Sequence, residues 1–238
     1  IMLMASFGAR MLSERGMSMD DLLPRYACEK CSDTGYLENG ELCPCARLKL
    51  AGRKYSSSGI SENAGFDRFN ENIFKDPEQL RRTRRAAEIC AQYAENLEIG
   101  GAKGLLLMGE TGLGKTFLMD SIGREAIRRG CSVKKYTAYN LIDAALRAVR
   151  RHEAGPELTG AELLLLDDLG TEPMIPGVTI ETLFAAINER QFAGKATVIA
   201  TNLTKNELFT QYGERIFSRL FASREYAAIT LRGKDLRM

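Results

Sequence analysis

The 238-residue chain has no tryptophan, one histidine and six prolines, and its charges nearly cancel, with 33 Lys and Arg against 31 Asp and Glu. The single histidine, His152, has no nucleophile or further metal ligand beside it in sequence, so no histidine-based catalytic set can be assigned. A net charge of +2 gives no overall pull toward polyanions, and any nucleic-acid surface has to come from local clustering. No apolar run approaches the roughly 18 residues of a membrane span. Met2 to Met4 is too short for a signal-peptide core and no cleavage pattern follows, so a cytoplasmic protein with no membrane partner is expected. The chain opens on Ile1, which reads as a trimmed N-terminus. Without a secretion signal, the six cysteines belong in a reducing compartment.

The most informative stretch is Gly104 to Thr116. Leu105 to Met108 is short, apolar and stopped by glycine, as a buried parallel strand is. Gly109, Gly114, Lys115 and Thr116 then stand at the fixed positions of G-x-x-x-x-G-K-[ST], and Phe117, Leu118, Ile122 and Ala126 trace a helical stripe behind them. The spacing has a physical purpose. Backbone N–H groups of Glu110, Thr111, Gly112, Leu113, Gly114 and Lys115 must converge on phosphate oxygens, and glycines let the chain curl that tightly. The N-terminal end of the helix, up to Phe117, adds its positive dipole. Lys115 is placed to reach the β- and γ-phosphates of ATP, and Thr116 to ligate Mg²⁺.

Leu163 to Leu166 followed by Asp167-Asp168 reads as a central strand carrying two carboxylates at its C-terminal edge, where open α/β sheets bind ligands. Asp167 is the candidate Mg²⁺ holder and Asp168 the candidate base for an attacking water. Ala196 to Thr201 reads as another buried strand, tipped by Asn202, whose amide can bond the γ-phosphate or the water. Helices are expected over Asp76 to Leu97, Leu141 to Val149, Ile180 to Gln191, Lys205 to Thr210 and Gly213 to Ala222, with a last strand from Tyr226 to Leu231. Lys134, Lys135, Tyr136, Tyr139, Arg147, Arg150 and Arg151 interleave bases with tyrosines, a pattern that suits single-stranded DNA and equally suits a solvated face.

Upstream, Cys28-x-x-Cys31 and Cys43-Pro44-Cys45 flank a short hairpin whose Asn39-Gly40 predicts a type I′ turn. A hairpin brings its ends together, so four thiolates would meet as a structural Zn²⁺ site. Two disulfides or unrelated buried cysteines are the other readings. Such a small segment has almost no core, and metal binding would supply its folding free energy. Cys90 and Cys131 read as small buried hydrophobes. Residues 1–27 form a Met-rich helical segment suited to packing or to an adaptable partner surface, 28–50 a zinc knuckle, 51–75 a linker entering the next domain, and 76–238 the main α/β domain. Phe66, Phe69 and Phe74 are expected to pack its outer edge, one of them beside a purine base.

Together these motifs resemble the AAA+ superfamily, and within it the DnaI/DnaC-type helicase loaders and their IstB-type transposition relatives. The resemblance spans residues 28–238 and rests on Gly109–Thr116, Leu163–Gly170, Thr197–Leu203, Gly213–Leu220 and Gly233–Arg237. The segment Tyr26–Cys45 is similar to the zinc-binding segment of DnaI-like proteins. The resemblance implies an α/β P-loop three-layer sandwich with a parallel sheet and, because the chain ends soon after its last strand, no helical lid. It implies that Asn202 is sensor 1, Arg219 an arginine finger acting on ATP in a neighbouring subunit, and Arg237 sensor 2. Homo-oligomerisation on ATP binding follows from a finger in trans. The chain departs from many AAA+ proteins in carrying Asp168 where Glu is common, which would hold water less closely and slow turnover. It also lacks most of the N-terminal region by which such loaders grip the DnaB-type replicative helicase. The expected function is an ATP-dependent loader of that helicase; an IstB-like transposition ATPase and a metal-dependent adaptor that hardly hydrolyses ATP are the alternatives.

Overall fold

The computed structural model describes residues 24, 26–46, 58–97, 104–156, 158–221 and 225–237. The helices expected within 1–23, the basic stretch 47–54 with Ser56-Ser57, and the Gly100-Gly101 stop lie outside them. The chain divides into two compact units, Ile1–Lys49 and Leu50–Met238.

In the first unit Tyr36 and Leu42 form an antiparallel bridge, and Leu37 N–H donates to Glu41 O at 2.8 Å. The turn between them is not type I′. That turn needs positive φ at both central residues, and here only Gly40 has it (φ 81°) while Asn39 does not. Gly40 N–H donates to Leu37 O at 2.9 Å, so Glu38-Asn39-Gly40 form a three-residue loop closed by a left-handed glycine.

The second unit is built on a five-stranded parallel sheet: β1 (Gly104–Met108), β2 (Val133–Thr137), β3 (Leu163–Leu169), β4 (Ala196–Thr201) and β5 (Tyr226–Thr230), in spatial order β2-β3-β4-β1-β5. The helices are α1 (Pro77–Glu95), α2 (Lys115–Arg128), α3 (Ala138–Arg151), α4 (Thr179–Phe192) and α5 (Lys205–Phe221). Helix α1 starts on Asp76, whose carboxylate caps Glu78 N–H at 2.9 Å, with Pro77 in the first turn. Helix α5 bends at Gly213, whose φ of 75° is not helical, so the two helices expected there form one kinked segment.

Side chains alternate along each strand, and in the central strands β1, β3 and β4 the alternate positions meet apolar side chains on both faces. Leu105, Leu107, Leu163, Leu165 and Val198 pack with α1 and α2. Leu106, Met108, Leu166 and Ile199 pack with α3, α4 and α5. The result is the three-layer sandwich. At the N-terminal edge of the sheet, Arg190 of α4 is completely buried and donates to the carbonyls of Leu158, Ala161, Glu162 and Ala196 and to the Thr197 hydroxyl. Burial pulls its pKa down to about 10.

Of the expected linker 51–75, residues 58–75 are described, and they strap the domain. Ile60 and Ala64 are buried, Phe66 and Phe69 pack against the core, and Arg124 of α2 donates to Ala64 O at 2.6 Å. The apolar side chains in this stretch and the free edge of α1/α2 complete one another. Among the described residues no helix is long and apolar enough to cross a membrane.

Candidate functional site

The C-terminal ends of β1, β3 and β4 and the chain's own C-terminal tail converge on one site. After Met108 the chain turns through Gly109, Gly112 and Gly114, all at positive φ, and enters α2 at Lys115. Gly114 offers no side-chain cap, which leaves the first helical N–H groups available to an anion. Lys115 Nζ donates to the carbonyls of Gly109 and Glu110, each at 2.7 Å, and burial lowers its pKa against the opposing field of Asp168 and Asp167.

The two aspartates owe their placement to an irregularity. Strands β3 and β4 pair regularly to Leu166↔Ile199, then resume at Leu169↔Thr201, so β3 carries one extra residue. Asp168 absorbs it with φ of 54°. In a regular strand neighbouring side chains would point to opposite faces; here both carboxylates stand at the same edge. Thr116 Oγ1 donates to Asp167 Oδ1 at 3.3 Å, and Asp168 N–H to the same oxygen at 3.1 Å. Burial, then the charge of Asp167, raises the pKa of Asp168. The Thr116 and Asp167 oxygens are hard donors close together, a set that fits Mg²⁺.

A cavity of about 570 Å³ opens beside these groups. Lys115, Thr116, Asp168, Asn202 and Arg237 contribute its polar wall. Phe69, Phe74 and Phe117 supply an apolar end, with the Phe69 ring centre 5.6 Å from that of Phe74 and 6.4 Å from that of Phe117, both pairs tilted. Phe66 instead joins the core.

The tail is clasped rather than loose. Gln79 of α1 donates to Lys234 O at 2.8 Å and accepts from Lys234 N–H at 3.0 Å, and Leu236 N–H reaches Gly112 O at 3.0 Å. Arg237 is held against Asp235 by two bonds of 3.0 and 2.8 Å. That pair lowers the pKa of Asp235 to about 2. Arg219 is elsewhere: it does not line the cavity but lies on α5, 5.9 Å from the Phe184 ring, while Arg215 stacks on the same ring at 3.7 Å.

Three groups near the site escaped the sequence reading. Lys135, expected in a DNA-facing stripe, points inward and pairs with Asp120 of α2 at 2.7 Å and Asp167 at 3.3 Å. Burial works against its charge, but Asp120 and Asp167 outweigh it and raise the pKa. Of the rest of that stripe, Lys134 sits 5.5 Å over Tyr136, Arg147 pairs with Asp143, and Tyr139 is exposed. Asp120 and Gln79 carried no sequence signal, because each acts on a partner distant in the chain.

In the first unit the Sγ atoms of Cys28, Cys31, Cys43 and Cys45 all lie within 4.8 Å of one another. Cys28 and Cys43 are 3.8 Å apart and Cys31 and Cys45 3.5 Å, too far for disulfides and near the ~3.8 Å edge of a ZnS₄ tetrahedron with ~2.3 Å bonds. Asp33 Oδ atoms accept from Ala27 and Cys28 N–H at 2.9 and 3.0 Å, and Thr34 Oγ1 donates to Cys31 O at 2.6 Å, pinning the first knuckle. Hydrogen bonding, foremost from Cys45, lowers the Cys28 thiol to about 7. Four thiols so placed fit Zn²⁺. Cys90 and Cys131 are buried in the core.

Residues 88–221 match the family described as IstB-like ATP binding protein. Among individual proteins, the chain is 35% identical to the chromosomal replication initiator protein DnaA of Zymomonas mobilis over 127 residues, 50% of this chain and 24% of that protein. It is 24% identical to the replicative helicase loader DnaI of Bacillus subtilis over 62% of this chain and 49% of that one. It is 25% identical to the replicative helicase loader DnaC of Escherichia coli K12 over 71% and 68%. The chain thus spans about a quarter of the first and half of the second. A solved DnaC helicase loader superposes with a TM-score of 0.60 at 21% identity over 72% of this chain and 98% of that one, which establishes a shared fold. The fold is of the P-loop AAA+ type, with no helical lid evident among the described residues, and the chain belongs to the IstB-like ATP-binding protein family.

Proposed function

We propose that the protein is an ATP-dependent loader of the replicative DNA helicase, acting in primosome assembly in the cytoplasm as a slow, ATP-controlled switch. The observation that carries the ATPase half is the convergence of Lys115, Thr116, Asp168, Asn202 and Arg237 on one cavity, with Asp167 bonded to Thr116. In this reading ATP lies with its base against Phe69, Phe74 and Phe117 and its phosphates along Gly109–Thr116. Lys115 swings from its two carbonyls to the β- and γ-phosphates. Thr116 and Asp167 hold Mg²⁺, which when bound neutralises charge on the phosphate oxygens. Asp168, a weaker acid than usual for its kind, accepts the proton of the attacking water, and Asn202 orients that water or the γ-phosphate. Arg237 approaches from the clasped tail. Arg219, outside its own subunit's cavity, acts on a neighbour's ATP, so hydrolysis requires assembly.

The four-cysteine cluster favours a loader over an IstB-like transposition helper, because it is similar to the zinc segment of DnaI-like proteins. Single-stranded DNA is the second proposed partner, contacted by what remains of the basic and tyrosine stripe. Co-purification with the replicative helicase and with an IS21-type transposase of the same organism tests the choice. Retention of the helicase by wild type with ATP and loss of it by Lys115→Ala is the expected result. Retention of the transposase alone would reverse the assignment. ATP turnover measured with and without single-stranded DNA tests the adaptor reading, which requires no turnover by wild type or Lys115→Ala.

A further inference from the structure

We propose that Lys135 is a positioning residue that fixes the Asp167 carboxylate for its metal, a role that rests on the ATPase reading above. Lys135 stands on β2, and its ammonium lies 2.7 Å from Asp120 Oδ1 of α2 and 3.3 Å from Asp167 Oδ2. Only 12% of the lysine side chain and 3% and 4% of the two carboxylates remain exposed. The two oxygens of Asp167 therefore have different partners. Oδ2 is taken by the ammonium, while Oδ1 faces the Thr116 hydroxyl and the Asp168 N–H. A carboxylate held at one oxygen by a charge and at the other by two donors has no freedom to rotate about its Cβ–Cγ bond.

Asp120 is the anchor of this arrangement. It stands on α2 five residues after Lys115, and its second oxygen accepts from Ser61 N–H at 3.2 Å, tying the strap at 58–75 into the same cluster. Without Asp120 the ammonium would pair with Asp167 alone and draw that carboxylate away from Thr116. Without Lys135 two nearly buried carboxylates would face each other with no cation between them. In either case the metal loses a preset ligand. The phosphate loop, whose backbone and Lys115 carry the contacts to nucleotide, is left as it is.

The test uses the full chain and a fluorescent, non-hydrolysable ATP analogue, titrated with Mg²⁺ and separately bound in EDTA. Lys135→Met is expected to raise the Mg²⁺ concentration for half-maximal binding by about tenfold or more, with affinity in EDTA unchanged. Asp120→Asn, isosteric and gentler on folding, is expected to move the same midpoint in the same direction, and it supplies the readout if Lys135→Met does not fold. An unmoved Mg²⁺ midpoint in the folded variants would overturn the proposal. So would a parallel loss of affinity with and without Mg²⁺, which marks a purely structural ion pair. A wild-type chain that binds no nucleotide would instead remove the ATPase reading, and this role with it.

Discussion

Asp235 lies directly over Gly112: a Cβ on that glycine would come within 2.0 Å of the aspartate Oδ1. The phosphate-loop turn and the C-terminal tail are therefore shaped to each other, and Arg237, held by Asp235, lines one wall of the cavity. Gly112 also needs its φ of 80°, which a side chain disfavours by roughly 1–2 kcal/mol. Gly112→Ala is expected to strain the loop, displace the tail and weaken ATP binding, with a small fall in melting temperature. Fluorescent-nucleotide titration beside thermal denaturation checks it, and wild-type values in both would show that the tail does not depend on this contact.

Arg219 lies away from the cavity of its own subunit. Arg219→Ala should keep ATP affinity and lose turnover under conditions where wild type assembles. Mixing it with Lys115→Ala should restore part of the activity, because some interfaces then pair an intact phosphate loop with an intact finger. Loss of binding and turnover together, with no recovery on mixing, would assign Arg219 to its own subunit.

The four-thiol cluster predicts about one Zn²⁺ per chain by elemental analysis. Cys43→Ser removes a ligand from the buried side of the cluster. It should release the metal and make residues 26–46 sensitive to protease while the ATPase unit retains its melting transition. A metal-free wild-type chain with a protease-resistant segment would disprove the site.

Arg190 holds four carbonyls and a hydroxyl at the end of the sheet opposite the cavity. Arg190→Met removes all five of these bonds from the buried sheet end and should cost on the order of 3 kcal/mol, or about 6–12 °C in melting temperature for a domain of this size. ATP affinity measured well below the transition should match wild type. A variant as stable as wild type would mean that water replaces the guanidinium.

Much of the fold was legible because its signals are local. Gly109–Thr116, Leu163–Asp168 and the two cysteine pairs each declare themselves within a few residues, and unbroken apolar strands can exist only in a sheet covered on both faces. Even there, local reading misjudged the Asn39-Gly40 turn, since the same dipeptide serves a two-residue and a three-residue loop and the strand register chooses between them. Residues 51–75 looked like linker because the run Ser56 to Gly59 opens them; the apolar side chains that follow are spaced to fit the surface of the domain.

The sequence alone thus determined the strand–loop–helix that opens the site and which residue types reach the sheet's C-terminal edge. Tertiary structure decided the rest. It set Lys135 between Asp120 and Asp167, bulged β3 so that both aspartates share an edge, and clasped residue 234 to Gln79, 155 positions away. The physical reason is that a charge, a kink or a glycine takes its meaning from what packs on it. For these groups the packing partners are remote in the chain.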